Sequence, residues 1–235
     1  MSVETEPTTA EVQTVAAARS LVGKRSCFIG VGRPSMAAIL ARMVHNPELV
    51  LVYESGTIGA KPYRIPLSIG DGELAETADA VVSVPEMFNY WIGPGRIQVA
   101  FLGAAQIDRH ANLNTTVIGD YEHPRTRLPG AGGAPEIATG CSEVMVIAPH
   151  SPRTFVERLD FLTTTGGRTT QVITDLGVLE PLDGELTLTR LHPGIEVEQA
   201  REATGWPLRV LDELEITAPP TDEELSALRG LVARG

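Results

Sequence analysis

Short apolar runs separated by glycine, proline and polar clusters recur along the chain. The run Leu49 to Tyr53, LVLVY, has no polar position, the pattern of a strand buried on both faces in a parallel sheet. Ser26 to Gly30 is a second short, partly β-branched strand. Gly30, Gly32 and Pro34 follow it, and Pro34 suits the first turn of a helix running from Ser35 to about His45. Asn46 and Pro47 stop that helix, so the segment predicts a β-α-β unit. Further strands are expected at Ala80 to Val84, Ile97 to Leu102, Val144 to Ile147 and Gln171 to Thr174, with a polar-alternating strand at Glu185 to Arg190.

Glu11 to Val22 is alanine-rich and predicts a helix with Val12, Val15, Ala16 and the stem of Arg19 on one face, stopped by Gly23 after a loose start over residues 1–10. The tail, residues 219–235, predicts a helix capped by Thr221 or Asp222, with Leu225, Leu228, Leu231 and Val232 as a stripe for packing or oligomerisation. Tyr121 to Pro135, rich in proline and glycine, reads as a long loop of the kind that often carries function. No repeat or low-complexity linker divides the chain. Residues 1–235 read as one α/β domain with an open, largely parallel sheet flanked by helices.

With 43% hydrophobic residues, a chain of 235 residues can bury a core that needs no disulfide staples. Its 19 Lys plus Arg against 30 Asp plus Glu leave a formal charge of −11, which repels nucleic acid at long range. A small anion can still be held by local amides. Cys27 and Cys141 form no CxxC or Cys/His pattern, so neither a disulfide framework nor a zinc site is expected, and the five histidines have no metal spacing. The start, MSVETEPTTAEV, lacks a basic and apolar leader, and no run approaches the roughly 18 apolar residues of a membrane span. The expectation is a soluble cytoplasmic protein without metal or membrane partner.

Four places carry residue types suited to chemistry. Glu54 directly follows LVLVY, at the strand end where open α/β sheets bind ligands, although a carboxylate there also caps turns or pairs with arginine. Gly30 to Ser35, GVGRPS, is half of a phosphate loop or a turn that needs glycine for steric reasons. Pro129 to Glu136, PGAGGAPE, is either a nest of N–H donors for an oxyanion or a flexible surface loop. Gly103 to Asp108 and Asn112 to Thr116 gather amides and hydroxyls that serve a site or a turn equally well. No nucleophile elbow accompanies the histidines, which removes a serine-hydrolase reading.

In order, the blocks YESGTIGAKPYRIPLSIGD, GRIQVAFLGAAQIDRHANLNTTVIGDYEHPRTRLPGAGGAPEIA, FVERLDF and TQVITDLGVLEPLDGELTLTRLHPGIEVEQAREATGW resemble the β subunits of family I CoA-transferases, most closely the glutaconate and 3-oxoadipate branch. The resemblance runs from about Gly30 to about Leu214. It implies a NagB/RpiA/CoA-transferase-like fold, a homologous α subunit as partner, acyl-CoA and a carboxylic acid as substrates, and no cofactor beyond coenzyme A acting as substrate. It also implies ping-pong transfer with Glu54, in the E-x-G turn with Ser55 and Gly56, as nucleophile forming a glutamyl-CoA thioester. Gly132 and Gly133 fall in its oxyanion or CoA-thioester region, and Gln106, Asn112 and Asn114 in positions around the nucleophile. Relatives commonly carry glycine where this chain has Ala111, so a left-handed turn there would be strained. Other relatives hydrolyse CoA thioesters or open steroid rings but depart from E-S-G, which favours transfer. A non-catalytic binding module of the same broad fold is a further alternative, opposed by the match along nearly the whole chain.

Overall fold

The computed structural model describes residues 6–234. In chain order its strands are β1 (Ser26–Ile29), β2 (Val50–Tyr53), β3 (Thr57–Ile58), β4 (Ala80–Val81), β5 (Val99–Leu102), β6 (Gln106–Ile107), β7 (Leu113–Asn114), β8 (Val117–Gly119), β9 (Pro124–Arg127), β10 (Glu143–Ile147), β11 (Thr169–Ile173), β12 (Gly177–Leu182), β13 (Glu185–Leu191) and β14 (Arg209–Ile216). The helices are α1 (Thr9–Arg19), α2 (Arg33–Leu40), α3 (Gly72–Glu76), α4 (Val84–Glu86), α5 (Ala134–Gly140), α6 (Val197–Glu202) and α7 (Asp222–Ala233). Single π-helical turns extend α2 through His45 and α4 through Ile92.

Ten strands form one sheet in the order β14-β13-β12-β11-β10-β5-β1-β2-β3-β4. Its centre, β11-β10-β5-β1-β2, is parallel throughout, and antiparallel pairs flank it on both sides. From β1 the chain crosses to β2 on one side and later returns as β5 on the other. The carboxyl ends of β1 and β5 therefore diverge into a crevice, the place where open sheets of this kind admit ligands.

Alternate residues of the central strands feed two cores. Phe28, Val52, Ala100, Leu102, Val144 and Val146 face one side, under α5 and the π turn after α4. Cys27, Ile29, Leu51, Tyr53, Val99, Phe101 and Met145 face the other, under α1, α2 and α7. This two-sided burial explains why the strands read as continuous apolar runs.

Several boundaries differ from the sequence reading for identifiable reasons. The first helix starts at Thr9 because Thr8 caps it, accepting from the Glu11 amide at 3.2 Å while Glu11 Oε2 accepts from Thr8 N–H at 2.8 Å. Of the expected loose start, residues 1–5 lie outside the described residues. Val84 belongs to α4 rather than to a strand, since Ser83 caps that helix. The expected loop from Tyr121 to Pro135 is corrected at both ends: Pro124–Arg127 pairs with β8 as a hairpin, and Ala134 and Pro135 open α5. The hairpin lacks an apolar signature because its second strand, PRTR, is largely exposed.

At the tail, Thr221 is the cap of α7, and Leu228 and Leu231 are buried while Val232 is exposed. Two ion pairs bind α7 to α1. Glu11 Oε1 accepts from Arg229 Nε at 2.7 Å, and Glu224 accepts from Arg19 Nε at 2.7 Å and Nη2 at 2.6 Å. Burial alone would raise the pKa of Glu224, but the hydrogen bonds from Arg19 and Thr221 outweigh it and hold the value at about 2, below the ordinary 4.5. A folded pKa below the unfolded one gives stability that is complete above pH 4.5 and lost as pH falls towards 2. The shift corresponds to about 3 kcal/mol. Glu224→Ala is expected to lower unfolding free energy at pH 7 by about 3 kcal/mol and to flatten the acid limb of stability against pH, measured by urea unfolding.

Candidate active site

Glu54 is the first residue past β2 and sits at the crevice because β2 is fixed at its end. Tyr53 is fully buried, with its hydroxyl 3.0 Å from Ser35 Oγ at the start of α2. Burial pushes the Tyr53 phenol up to about 12, so it stays neutral. A tight turn follows, closed by the Gly56 N–H donating to the Tyr53 carbonyl at 2.9 Å. Gly56 has φ +104°, and a Cβ there would overlap the carbonyl oxygen of Val82, so glycine is required on both counts. Ser55 Oγ is buried and has no hydrogen-bond partner among the described residues.

The crevice opens into a mainly apolar cavity of about 510 Å³. Its wall comprises the ends of β1 (Phe28 to Val31), of β5 (Phe101 to Ala105) and of β10 (Ile147), together with Pro34, Glu54, Thr115 and the segment Leu128 to Ala134. The GVGRPS turn and the glycine loop thus both border the chamber that contains Glu54. At Gly133 a Cβ would lie 2.5 Å from Phe88 Cζ and 3.0 Å from Glu54 Oε1. The carboxylate and the ring therefore occupy the space that any side chain at 133 would need. Gly130 and Gly132 take φ +100° and +51°, a left-handed bend that glycine permits. The N–H groups of Ala131, Gly132 and Gly133 have no acceptor among the described residues.

Gln106, Asn112 and Asn114 lie elsewhere and spend their amides on the protein itself. Asn114 is fully buried, and its Nδ2 donates to Gln106 Oε1 and to the Val117 carbonyl, each at 2.7 Å. Gln106 Nε2 donates to Asp160 Oδ2 at 3.0 Å. Asn112 Nδ2 donates to Asp108 Oδ2 at 2.9 Å, and its Oδ1 accepts from Gly166 N–H at 2.9 Å. None of the three is in the wall around Glu54, so the structure brings together Glu54, Gly132 and Gly133 but not these amides. The sequence reading passed over Phe88, which borders the space at Gly133 together with Glu54, from a π turn anchored by the buried Met87 and Ile92. The signal available was the aromatic cluster MFNYW, which in a sequence reads as ordinary core.

Ala111 does adopt the left-handed turn, with φ +60°, and is fully buried. The Asp108 carboxylate holds it there, accepting from the amides of His110 at 2.9 Å and Asn112 at 3.0 Å. The left-handed turn, strained for a residue other than glycine, is thus adopted all the same.

The coenzyme A transferase family model matches residues 10–203. The chain is 54% identical to the β subunit of 3-oxoadipate CoA-transferase of Pseudomonas knackmussii, over 96% of this chain and 94% of that one. It is 31% identical to the β subunit of glutaconate CoA-transferase of Acidaminococcus fermentans, covering 93% and 90%. The crystal structure of glutaconate coenzyme A-transferase from A. fermentans superposes with a TM-score of 0.90 at 27% identity, covering 96% of this chain and 95% of that chain.

Left-handed strain of about 1–2 kcal/mol at Ala111 is offset by what glycine would lose there, roughly 0.5–1 kcal/mol in entropy and about 0.8 kcal/mol for one buried methyl. Ala111→Gly is therefore expected to change stability by less than about 1 kcal/mol, and Ala111→Val to cost about 3 kcal/mol or more, both read from denaturant midpoints.

Proposed function

The chain belongs to the coenzyme A transferase family, and we propose that it works as the β subunit of a transferase acting on a 3-oxoadipate-type acid, with Glu54 as the covalent nucleophile. The observation that carries this reading is the pairing of the Glu54 carboxylate with a glycine loop whose amides are unspent, at the mouth of an apolar chamber. The substrate class follows the 54% identity along nearly the whole of both chains. A separate α subunit is the implied partner, since the relatives it matches are themselves single subunits of their enzymes. The two thiols are free and buried, and no helix among the described residues is long and apolar enough to cross a membrane, which suits a cytoplasmic enzyme.

The chemistry balances without metal or nucleotide. A Glu54 oxygen attacks the donor thioester carbonyl, the C–S bond breaks, and coenzyme A leaves as thiolate from a glutamyl–acyl anhydride. The thiolate attacks the Glu54 carbonyl and expels the donor carboxylate, leaving a glutamyl-CoA thioester. The acceptor carboxylate then attacks this thioester, and the released thiolate takes the new acyl group from the second anhydride, freeing Glu54. Each step passes through a tetrahedral oxyanion on the glutamyl or acyl carbon. Fixed N–H dipoles stabilise such a charge without reorganising, and the unpaired amides from Ala131 to Gly133, in the wall beside Glu54, support that role for them.

Incubating the αβ complex with acyl-CoA and no acceptor, then trapping with borohydride, should place a CoA adduct or its reduced product on the Glu54 peptide by mass spectrometry. Free acid and CoA accumulating at a catalytic rate without adduct would instead mark a hydrolase. Glu54→Ala should melt within a few degrees of wild type, because a half-buried carboxylate past a strand end contributes little packing. Its transfer activity should fall at least about a thousandfold. The isolated chain should be inactive until α is added, and full turnover by this polypeptide alone would exclude the heteromeric reading.

A further inference from the structure

Thr115 lies in the wall of the Glu54 chamber, yet its hydroxyl proton is already committed. Thr115 Oγ1 donates to the Gly130 carbonyl at 2.8 Å, and Gly130 N–H donates back to the Thr115 carbonyl at 2.9 Å. Leu128 N–H also donates to the Thr116 carbonyl at 3.1 Å, and at the loop's other end the Ala131 and Gly133 carbonyls accept from Ala134 N–H at 3.0 Å and Ile137 N–H at 2.9 Å in α5. Apart from those to α5, which follows it directly in the chain, the polar tethers of the glycine loop among the described residues end on Thr115 or its neighbour. A segment reading PGAGGA has wide conformational freedom of its own, so without a peg its amides would sample many positions relative to Glu54.

The peg is itself held. Thr115 N–H donates to Thr163 Oγ1 at 3.0 Å, and the hydroxyls of Thr116 and Thr163 are 2.7 Å apart. Asn114 Oδ1 accepts from Thr116 N–H at 2.9 Å, which ties the same strand end to the buried Asn114–Gln106 lattice. The buried amides that do not reach the chamber therefore act on it at one remove.

We propose that Thr115 is a positioning residue: its hydroxyl fixes the Gly130 carbonyl, and so fixes where the amides of Ala131 to Gly133 stand relative to the Glu54 carboxylate. This rests on the reading of Glu54 and the glycine loop given above. Having no spare proton, Thr115 acts through the loop rather than on substrate.

The test uses the αβ complex carrying Thr115→Val, which keeps the shape and removes the donor, and Thr115→Ser, which restores it. Thr115→Ala serves as a second deletion free of any misfit from the valine methyl. Two quantities are read: the rate at which the Glu54-bound CoA adduct forms from acyl-CoA, and hydrogen-exchange protection of the Leu128, Gly130 and Ala134 amides. In Thr115→Val and Thr115→Ala, adduct formation should slow about tenfold or more, with KM for acyl-CoA changed less than about twofold and loop exchange faster. Thr115→Ser should return both to within about threefold of wild type. Unchanged loop exchange in both deletions overturns the peg whatever the adduct does. A wild-type adduct rate in the deletions, a serine variant as slow as valine, or a raised KM at constant kcat overturns the positioning role. An absence of adduct in wild type would defeat the nucleophile reading alone, since the exchange arm still judges the peg.

Discussion

The site depends on one contact that requires a missing side chain. At position 133 the backbone, the Phe88 ring and the Glu54 carboxylate share a space with no room for a Cβ. A methyl group there would have to move the ring, the carboxylate or the loop, and each of these is held by something else. Glu54 is set by a turn that begins on the buried Tyr53, and Phe88 by a π turn clamped between two core residues. Close approach at Gly133 is thus the meeting point of three independently anchored elements.

The sheet supplies the frame for that meeting. Because β1 sends the chain to β2 on one flank and β5 comes back on the other, the carboxyl ends part at this one place. The two cores then fix the crevice from both faces. The long helices with α7 secure the face beneath Ile29 and Phe101, and the π turn and α5 secure the face beneath Phe28 and Leu102. Strand-end residues are consequently packed from both faces, while the loop crossing them is rich in glycine and is tied by hydrogen bonds to Thr115 and Thr116 at one end and to α5 at the other.

Much of the frame was legible in the sequence because central parallel strands must be apolar on both faces. LVLVY and SCFI announce themselves for that reason. The hairpins between 106 and 127 did not, since their strands run for two to four residues and the last is exposed and polar. Glu54, the proposed nucleophile, stands at the end of a buried strand, and the resemblance singled it out. Amide side chains were not so decidable. Asn114 looks the same in a sequence whether it faces a ligand or, as found here, closes a buried lattice with Gln106. Phe88 was hidden for the opposite reason, being an aromatic residue among other aromatic residues.

The chamber's unspent donors belong to the main chain, and this alters what inheritance can do to it. No single change of side-chain identity deletes an amide N–H, except to proline. Drift in this protein can therefore reach these donors only through shape, by bending the loop, filling the space at Gly133 or loosening what the loop rests on. Side chains of the apolar walls can vary while this set of main-chain donors is carried forward unchanged.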